Sequence, residues 1–190
     1  MKKFFLGVLI GIITSVIGFL GFAYILANNL LDGVDDDGLS APTILVDRSN
    51  LIKASFDMDL VDLRTGINLD SNILKNKVVL LNFWERWCIP CRQEMPSLER
   101  LSSIMKDTSL IFCIISTENE AATKKESIVT SYSLPFYHLK SVIPQVYDDK
   151  KVPRSYIISK KGQVVVVEIG ASRWDDNSVV KMIDSLKMGD

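Results

Sequence analysis

The sequence predicts an α/β domain with a mixed central sheet flanked by helices, carried behind one N-terminal transmembrane helix. Three observations carry that expectation. Val78-Val79-Leu80-Leu81-Asn82-Phe83 and Leu110-Ile111-Phe112-Cys113-Ile114-Ile115 are short, nearly unbroken apolar runs, the pattern of strands buried on both faces. Between them Met95, Leu98, Leu101 and Met105 repeat at helical spacing, so a core-facing helix joins two parallel strands. Upstream, Phe4 to Ala27 is a stretch without a single charge.

That stretch is about 36 Å long as a helix, against a hydrocarbon core of about 30 Å. A cleaved secretory signal has a shorter apolar region of about 7–15 residues, and Ile25 is a poor third residue before a cut at Ala27. Residues 1–31 therefore read as an uncleaved anchor. Lys2 and Lys3 precede the apolar run and no Lys or Arg follows until Arg48, which keeps the N-terminus cytoplasmic and the body outside. In a bacterium this is a single-pass protein of the inner (cytoplasmic) membrane, its domain periplasmic or in the Gram-positive equivalent. Gly7 and Gly11 have helix-pairing spacing, but glycine is common in such helices. Residues 32–52, with Asp32, Gly33, Asp35, Asp36, Asp37, Gly38, Ser40 and Pro42, read as a turn-rich acidic tether. They lack the alternating ligands and distal Glu of a calcium loop.

The domain proper runs from 53 to 190. Phe56-Asp57-Met58-Asp59-Leu60 alternates apolar and polar residues, a half-buried strand, and Leu63 to Ile67 reads as a hairpin turn with Gly66 at the awkward backbone angle. Pro96 lies too deep in the helix from Ile89 for a first turn, so a kink is expected. Cys113 sits mid-strand as a small apolar thiol. Glu118 to Tyr132 reads as one helix, Ser133 to Phe136 as the return to the sheet, and Val142 to Tyr147 as a short helix or turn. Gly170 closes the last strand, Ser172 or Asp175 caps a final helix to Leu186, and Trp174 packs at its start.

Composition narrows the function. The chain is 47% hydrophobic with 22 basic and 23 acidic residues, an ordinary packed core with no basic face for nucleic acid. One His and three Cys exclude most multi-ligand metal sites, and nothing calls for a cofactor. His138 reads as a surface or satisfied side chain.

The chemistry concentrates in Trp87-Cys88-Ile89-Pro90-Cys91, where a buried strand passes into a helix that opens with C-x-x-C. Cysteines three apart on a first helical turn share a face, within reach of a disulfide. The partial positive charge at a helix N-terminus stabilises a thiolate there. Cys88, at the helix mouth, is thus the expected nucleophile and Cys91, a turn deeper, the resolving thiol. A half zinc site or a static disulfide is the bland alternative, and neither a second C-x-x-C nor paired histidines support the former.

Asn82-Phe83-Trp84-x-x-Trp87-Cys88-x-Pro90-Cys91-Arg92-x-Glu94-x-Pro96 resembles the TlpA/ResA branch of membrane-anchored thioredoxin-like proteins, over roughly Ser55 to Leu186. The resemblance implies a thioredoxin-like fold with an extra N-terminal β-hairpin. It also implies a redox-active Cys88–Cys91 disulfide. Lys151-Val152-Pro153-Arg154-Ser155-Tyr156-Ile157-Ile158 resembles the branch's cis-proline loop and following strand. A turn at Gly162 and an antiparallel strand follow. By that likeness Pro153 is cis beside the cysteines and Val152 offers backbone groups to an extended substrate segment. Trp87 shapes the docking surface, while Trp84 belongs to the core.

Two departures and three alternatives complete the reading. Asn82 stands where thioredoxins carry a buried Asp six residues before the first cysteine. The branch often supplies an acid in C-x-x-x-E instead, and Glu94 fits; it is the candidate proton acceptor, weighed against a solvated helix glutamate. Ile89 replaces the usual Pro or Glu of the dipeptide. Reduction of disulfides in client proteins with cysteines, as in cytochrome c or oxidase maturation, follows from the resemblance, as does a membrane electron donor of the DsbD/CcdA type. A net oxidant or isomerase is the competing direction, since the external compartment is oxidising. A copper chaperone of the Sco type needs C-x-x-x-C and a distal His, and the spacing here is one residue shorter. A peroxidase would need P-x-x-x-T-x-x-C, which is absent.

Overall fold

The computed structural model describes residues 15–16, 18–19, 21–22, 38–43, 52–106 and 110–188. Contacts divide the chain into Met1–Gly38 and Leu39–Asp190. In the first unit the described residues 15–16, 18–19 and 21–22 are helical and exposed. The Phe4–Ala27 anchor and the acidic tether lie largely outside the described residues. No helix among the described residues is long and apolar enough to cross a membrane.

The second unit is built on a six-stranded mixed sheet in the order β1-β4-β3-β2-β5-β6. The apolar run becomes its centre, β2 (Val78–Phe83), every residue of it buried. β3 (Leu110–Ser116) lies parallel to it on one side and β5 (Arg154–Ile158) antiparallel on the other. β4 (Phe136–Leu139) continues the parallel side, β1 (Leu60–Asp62) closes that edge antiparallel, and β6 (Val164–Ile169) closes the other. Gly162, at φ +71°, makes the β5–β6 turn in a conformation that side chains disfavour.

Period-two alternation of β2 divides its side chains between two cores. Val78 and Leu80 enter the cluster beneath helices α1 (Ile89–Ile104), α3 (Ser127–Ser131) and α4 (Asn177–Met188). Val79, Leu81 and Phe83 point the opposite way, to Met58, Leu60, Leu74, Tyr147 and Tyr156. Asn82 shares the parity of Val78 and Leu80, so its amide is directed to the helix side. On α1 the expected stripe is in place: Met95, Leu98 and Leu101 have no exposed surface, each contributing about 1.5–3 kcal/mol of burial. The helix continues through Pro96 to Ile104. Trp84 packs edge-on against Phe136, ring centroids 5.6 Å apart. Cys113 is buried among the apolar residues of the second core, and burial pushes its thiol up to about 12.

Three local expectations are corrected. The alternating Phe56–Leu60 segment is not the edge strand; a Met58 N–H to Phe56 carbonyl bond of 2.9 Å folds it locally, and β1 starts only at Leu60. The hairpin itself is present but short: around the Val61–Asn68 bridge the Asp62 N–H bonds the Ile67 carbonyl at 2.9 Å and the Leu69 N–H the Leu60 carbonyl at 2.8 Å, and Gly66 turns the chain at φ +75°. The single helix expected over Glu118–Tyr132 is two, α2 (Glu120–Thr123) and α3. Asn119 caps α2, and bonds from Lys125 N–H to Ala122 and from Glu126 N–H to Thr123 tighten its end. Neither Ser172 nor Asp175 caps α4: Asp176 accepts from the Ser178 N–H at 2.8 Å, while Asp175 pairs with Arg100 at 2.5 Å. The Val142–Tyr147 segment resolves as a 3₁₀ turn at Gln145–Tyr147.

Candidate redox site

β2 delivers the chain to the C-terminal end of the central strands through Trp84, whose N–H still bonds the Ile115 carbonyl at 3.0 Å. The next three residues form a tied loop. Glu85 is buried and accepts from Ser116 Oγ at 2.8 Å and Thr117 Oγ1 at 2.6 Å. Burial raises its pKa while the Thr117 and Ser116 bonds oppose the rise. The Cys88 N–H returns to the Glu85 carbonyl at 3.1 Å. The backbone then enters α1 with Cys88 as N-cap and Pro90 in the first turn, where its missing N–H costs no helical bond.

Cys88 and Cys91 form a disulfide with Cα atoms 5.3 Å apart, as their spacing predicts. Cys88 Sγ accepts the Cys91 N–H at 3.2 Å, the contact by which a helix N-terminus stabilises a thiolate. Cys88 is 2% exposed and Cys91 not at all, whereas the neighbouring Trp87 and Ile89 are each 69% exposed. The Val152–Pro153 bond is cis, and Val152 packs against the cluster that holds both cysteines. Trp87, Val152, Ile143, Glu85 and Arg154 line one open groove of about 340 Å³. Trp84, by contrast, is fully buried, so the two tryptophans divide between core and surface as expected.

Glu94 is where the structure adds most. It is not a solvated helix glutamate; it has no exposed surface. Its Oε1 accepts from Asn82 Nδ2 at 2.7 Å, and its Oε2 from Trp174 Nε1 at 2.9 Å and the Ser172 N–H at 3.2 Å. Burial raises its pKa to about 7 against these three donors, with the Glu168 charge adding to the rise. Asn82 also donates to Ser155 Oγ at 2.8 Å. The sequence reading left these partners unjoined, assigning Trp174 to packing and Ser172 to a cap. A polar residue inside a six-residue apolar strand was the available signal, because a buried amide requires partners.

Arg154, directly after the cis-proline, also escaped the sequence reading. It is buried, donates to the Tyr147 and Lys151 carbonyls at 3.0 Å each, and lies 4.4 Å from the Phe83 ring centroid. The loop that carries Val152 is thereby fastened to β5. His138 lies in β4, half-buried and remote in sequence from the cysteines. No group of three or more His, Cys, Asp or Glu among the described residues is placed to hold a metal ion.

Residues 55–183 match the redoxin family model. The chain belongs to the redoxin family. Over 99 residues this redoxin is 36% identical to the thioredoxin-like protein YneN of Bacillus subtilis, covering 50% of this chain and 58% of that one. Over 109 residues it is 35% identical to the thiol-disulfide oxidoreductase ResA of Bacillus cereus, covering 55% and 62%. Both alignments span less than two thirds of the relative's length. A longer alignment, 26% identical over 174 residues, covers 89% of this chain and 87% of ResA from Bacillus subtilis. The fold matches a thioredoxin-family thiol:disulfide interchange protein from Chlorobium tepidum with a TM-score of 0.56 at 24% identity, covering 72% of this chain and 99% of that one. StoA from Bacillus subtilis matches with a TM-score of 0.51 at 18% identity, covering 71% and 97%. The thioredoxin-like architecture of this redoxin is thus common to both.

Proposed function

We propose that this redoxin is a membrane-anchored, extracytoplasmic thiol-disulfide oxidoreductase that reduces disulfides in client proteins. The observation that carries the reading is the Cys88–Cys91 disulfide at the mouth of α1, set beside an exposed Trp87 and a groove bordered by Val152. In the dithiol form the Cys88 thiolate attacks a client disulfide, forming a mixed disulfide and releasing one client thiolate. Cys91 then loses its proton and attacks Cys88 Sγ; the second client thiolate leaves, and the Cys88–Cys91 bond closes. The client gains two electrons and this chain loses them. Glu94, in its ionised form, accepts the Cys91 proton directly or through water. A membrane dithiol donor of the DsbD/CcdA type restores the reduced form. The relatives named thiol-disulfide oxidoreductase support the chemistry, and Phe4–Ala27 behind Lys2 and Lys3 supports the location.

The experiment is substrate trapping with Cys91→Ala in intact cells. Mixed disulfides should accumulate on Cys88, dissolve on reduction, vanish in the Cys88→Ser/Cys91→Ala double variant, and fall in yield when Trp87→Ala is added. A Cys91→Ala protein that captures no client would overturn the reading.

A further inference from the structure

The Asn82 side chain is held in a one-sided arrangement. Its Nδ2 donates at 2.7 Å to Glu94 and at 2.8 Å to Ser155 Oγ, while its Oδ1 is buried without any partner. Asn82 has no exposed surface, so bulk solvent does not reach that oxygen, and a buried unpaired carbonyl is a costly group. This orientation suits only one protonation state of its neighbour. An ionised carboxylate accepts and never donates, so a donor must face Glu94 Oε1. Once Glu94 is protonated the requirement reverses. Its Oε2 already receives Trp174 Nε1 and the Ser172 N–H, so the proton belongs on Oε1, where it would meet the Nδ2 hydrogens head-on.

Rotation of the Asn82 amide by half a turn resolves the conflict. Oδ1 then accepts from the Glu94 Oε1–H and also from the Ser155 hydroxyl, whose hydrogen is free to rotate. Nδ2 takes the unpartnered place that Oδ1 held. We propose that Asn82 is a positioning residue that reverses its amide in step with Glu94, donating to the carboxylate and accepting from the carboxylic acid. Leu offers neither face and Asp donates only when itself protonated, whereas the amide gives a buried acid a matched partner in each proton state without titrating.

The groups around Glu94 leave this exchange to Asn82. β2 and β5 contribute neutral Asn82 and Ser155, and the segment after β6 contributes neutral Ser172 and Trp174. Glu168 of β6 is the charged group whose field raises the acid further. The inference rests on the buried cluster, and its use in catalysis rests on the oxidoreductase reading above. Its test requires no turnover, so the two fail separately.

In the oxidised full-length protein, the Asn82 side-chain NH₂ signals and the Glu94 carboxyl carbon are followed by NMR from pH 4 to 9. The two should titrate with one midpoint, and the NOE contacts of the Asn82 NH₂ protons to Ser155 should be lost on the acid side. In Glu94→Gln, the amide oxygen takes the place of the Glu94 Oε2 beside Trp174 and Ser172, which turns the amide nitrogen toward Asn82 and locks the reversed Asn82 amide at every pH. Asn82→Leu, if it folds, removes one donor to the charged form and should raise the Glu94 midpoint by about one pH unit. Asn82 signals that stay fixed while Glu94 titrates would overturn the proposal. So would a Glu94→Gln protein whose Asn82 contacts match those of the wild type above its midpoint.

Discussion

Glu94→Gln should flatten a pH dependence that the buried carboxyl imposes on folding. The group titrates near 4.5 in the unfolded chain and at about 7 in the folded one. The native state therefore holds the proton more tightly than the unfolded state between those limits. Stability from this group is complete below about pH 4.5, declines as pH rises, and is gone above about 7. At 1.36 kcal/mol for each pH unit the difference is about 3 kcal/mol. Gln keeps the shape and helix propensity but cannot ionise, and the Asn82 amide can turn to meet it. Urea unfolding of the oxidised wild type and variant, across pH 4.5 to 8.5, isolates the effect, because every other titrating group is common to both. The variant should gain on the wild type by about 3 kcal/mol between the two ends. Parallel stability profiles would refute the reasoning, showing either that Glu94 titrates normally or that water enters the cluster.

Two further outcomes are expected. Cys113→Ala should retain full disulfide-reductase activity while losing about 1 kcal/mol of stability, since it leaves a small void in an apolar core; lost activity in a folded variant would assign Cys113 a redox role. Full-length protein should remain in the membrane pellet after alkaline carbonate extraction, and its release to the supernatant would remove the anchor from the account.

The parts of the fold that were legible in the sequence are those where one local pattern dominates. β2 and β3 are nearly unbroken apolar runs, and the stripe Met95, Leu98, Leu101 allows one helix face only. Cys88 and Cys91 are legible because covalent reach fixes their spacing. Legibility fails where tertiary bonds override local propensity. The helix expected over Glu118–Tyr132 breaks at Glu126, which holds the N-cap position of α3 in an extended conformation and turns its carboxylate to Arg92 at 2.9 Å, a partner 34 residues away. The edge strand moves to Leu60 because its pairing is set by Leu139 across the sheet. Glu94 shares the core-facing stripe with Leu98 and Leu101, but its partner Trp174 lies 80 residues on. Only the strand parity that sends Asn82 to the helix side joins them, and that parity has meaning once the sheet is known.

The central claim is that Cys88 is the low-pKa attacking thiol and Cys91 the shielded resolver. Stopped-flow alkylation against pH, on Cys88→Ala and Cys91→Ala proteins in a Cys113→Ala background, measures it directly. Cys88, accepting the Cys91 N–H at 3.2 Å at the mouth of α1, should alkylate fast with a midpoint well below the ordinary thiol value of about 8.5. Cys91, with no exposed surface, should react slowly throughout. Faster alkylation of Cys91 near neutral pH would contradict the account.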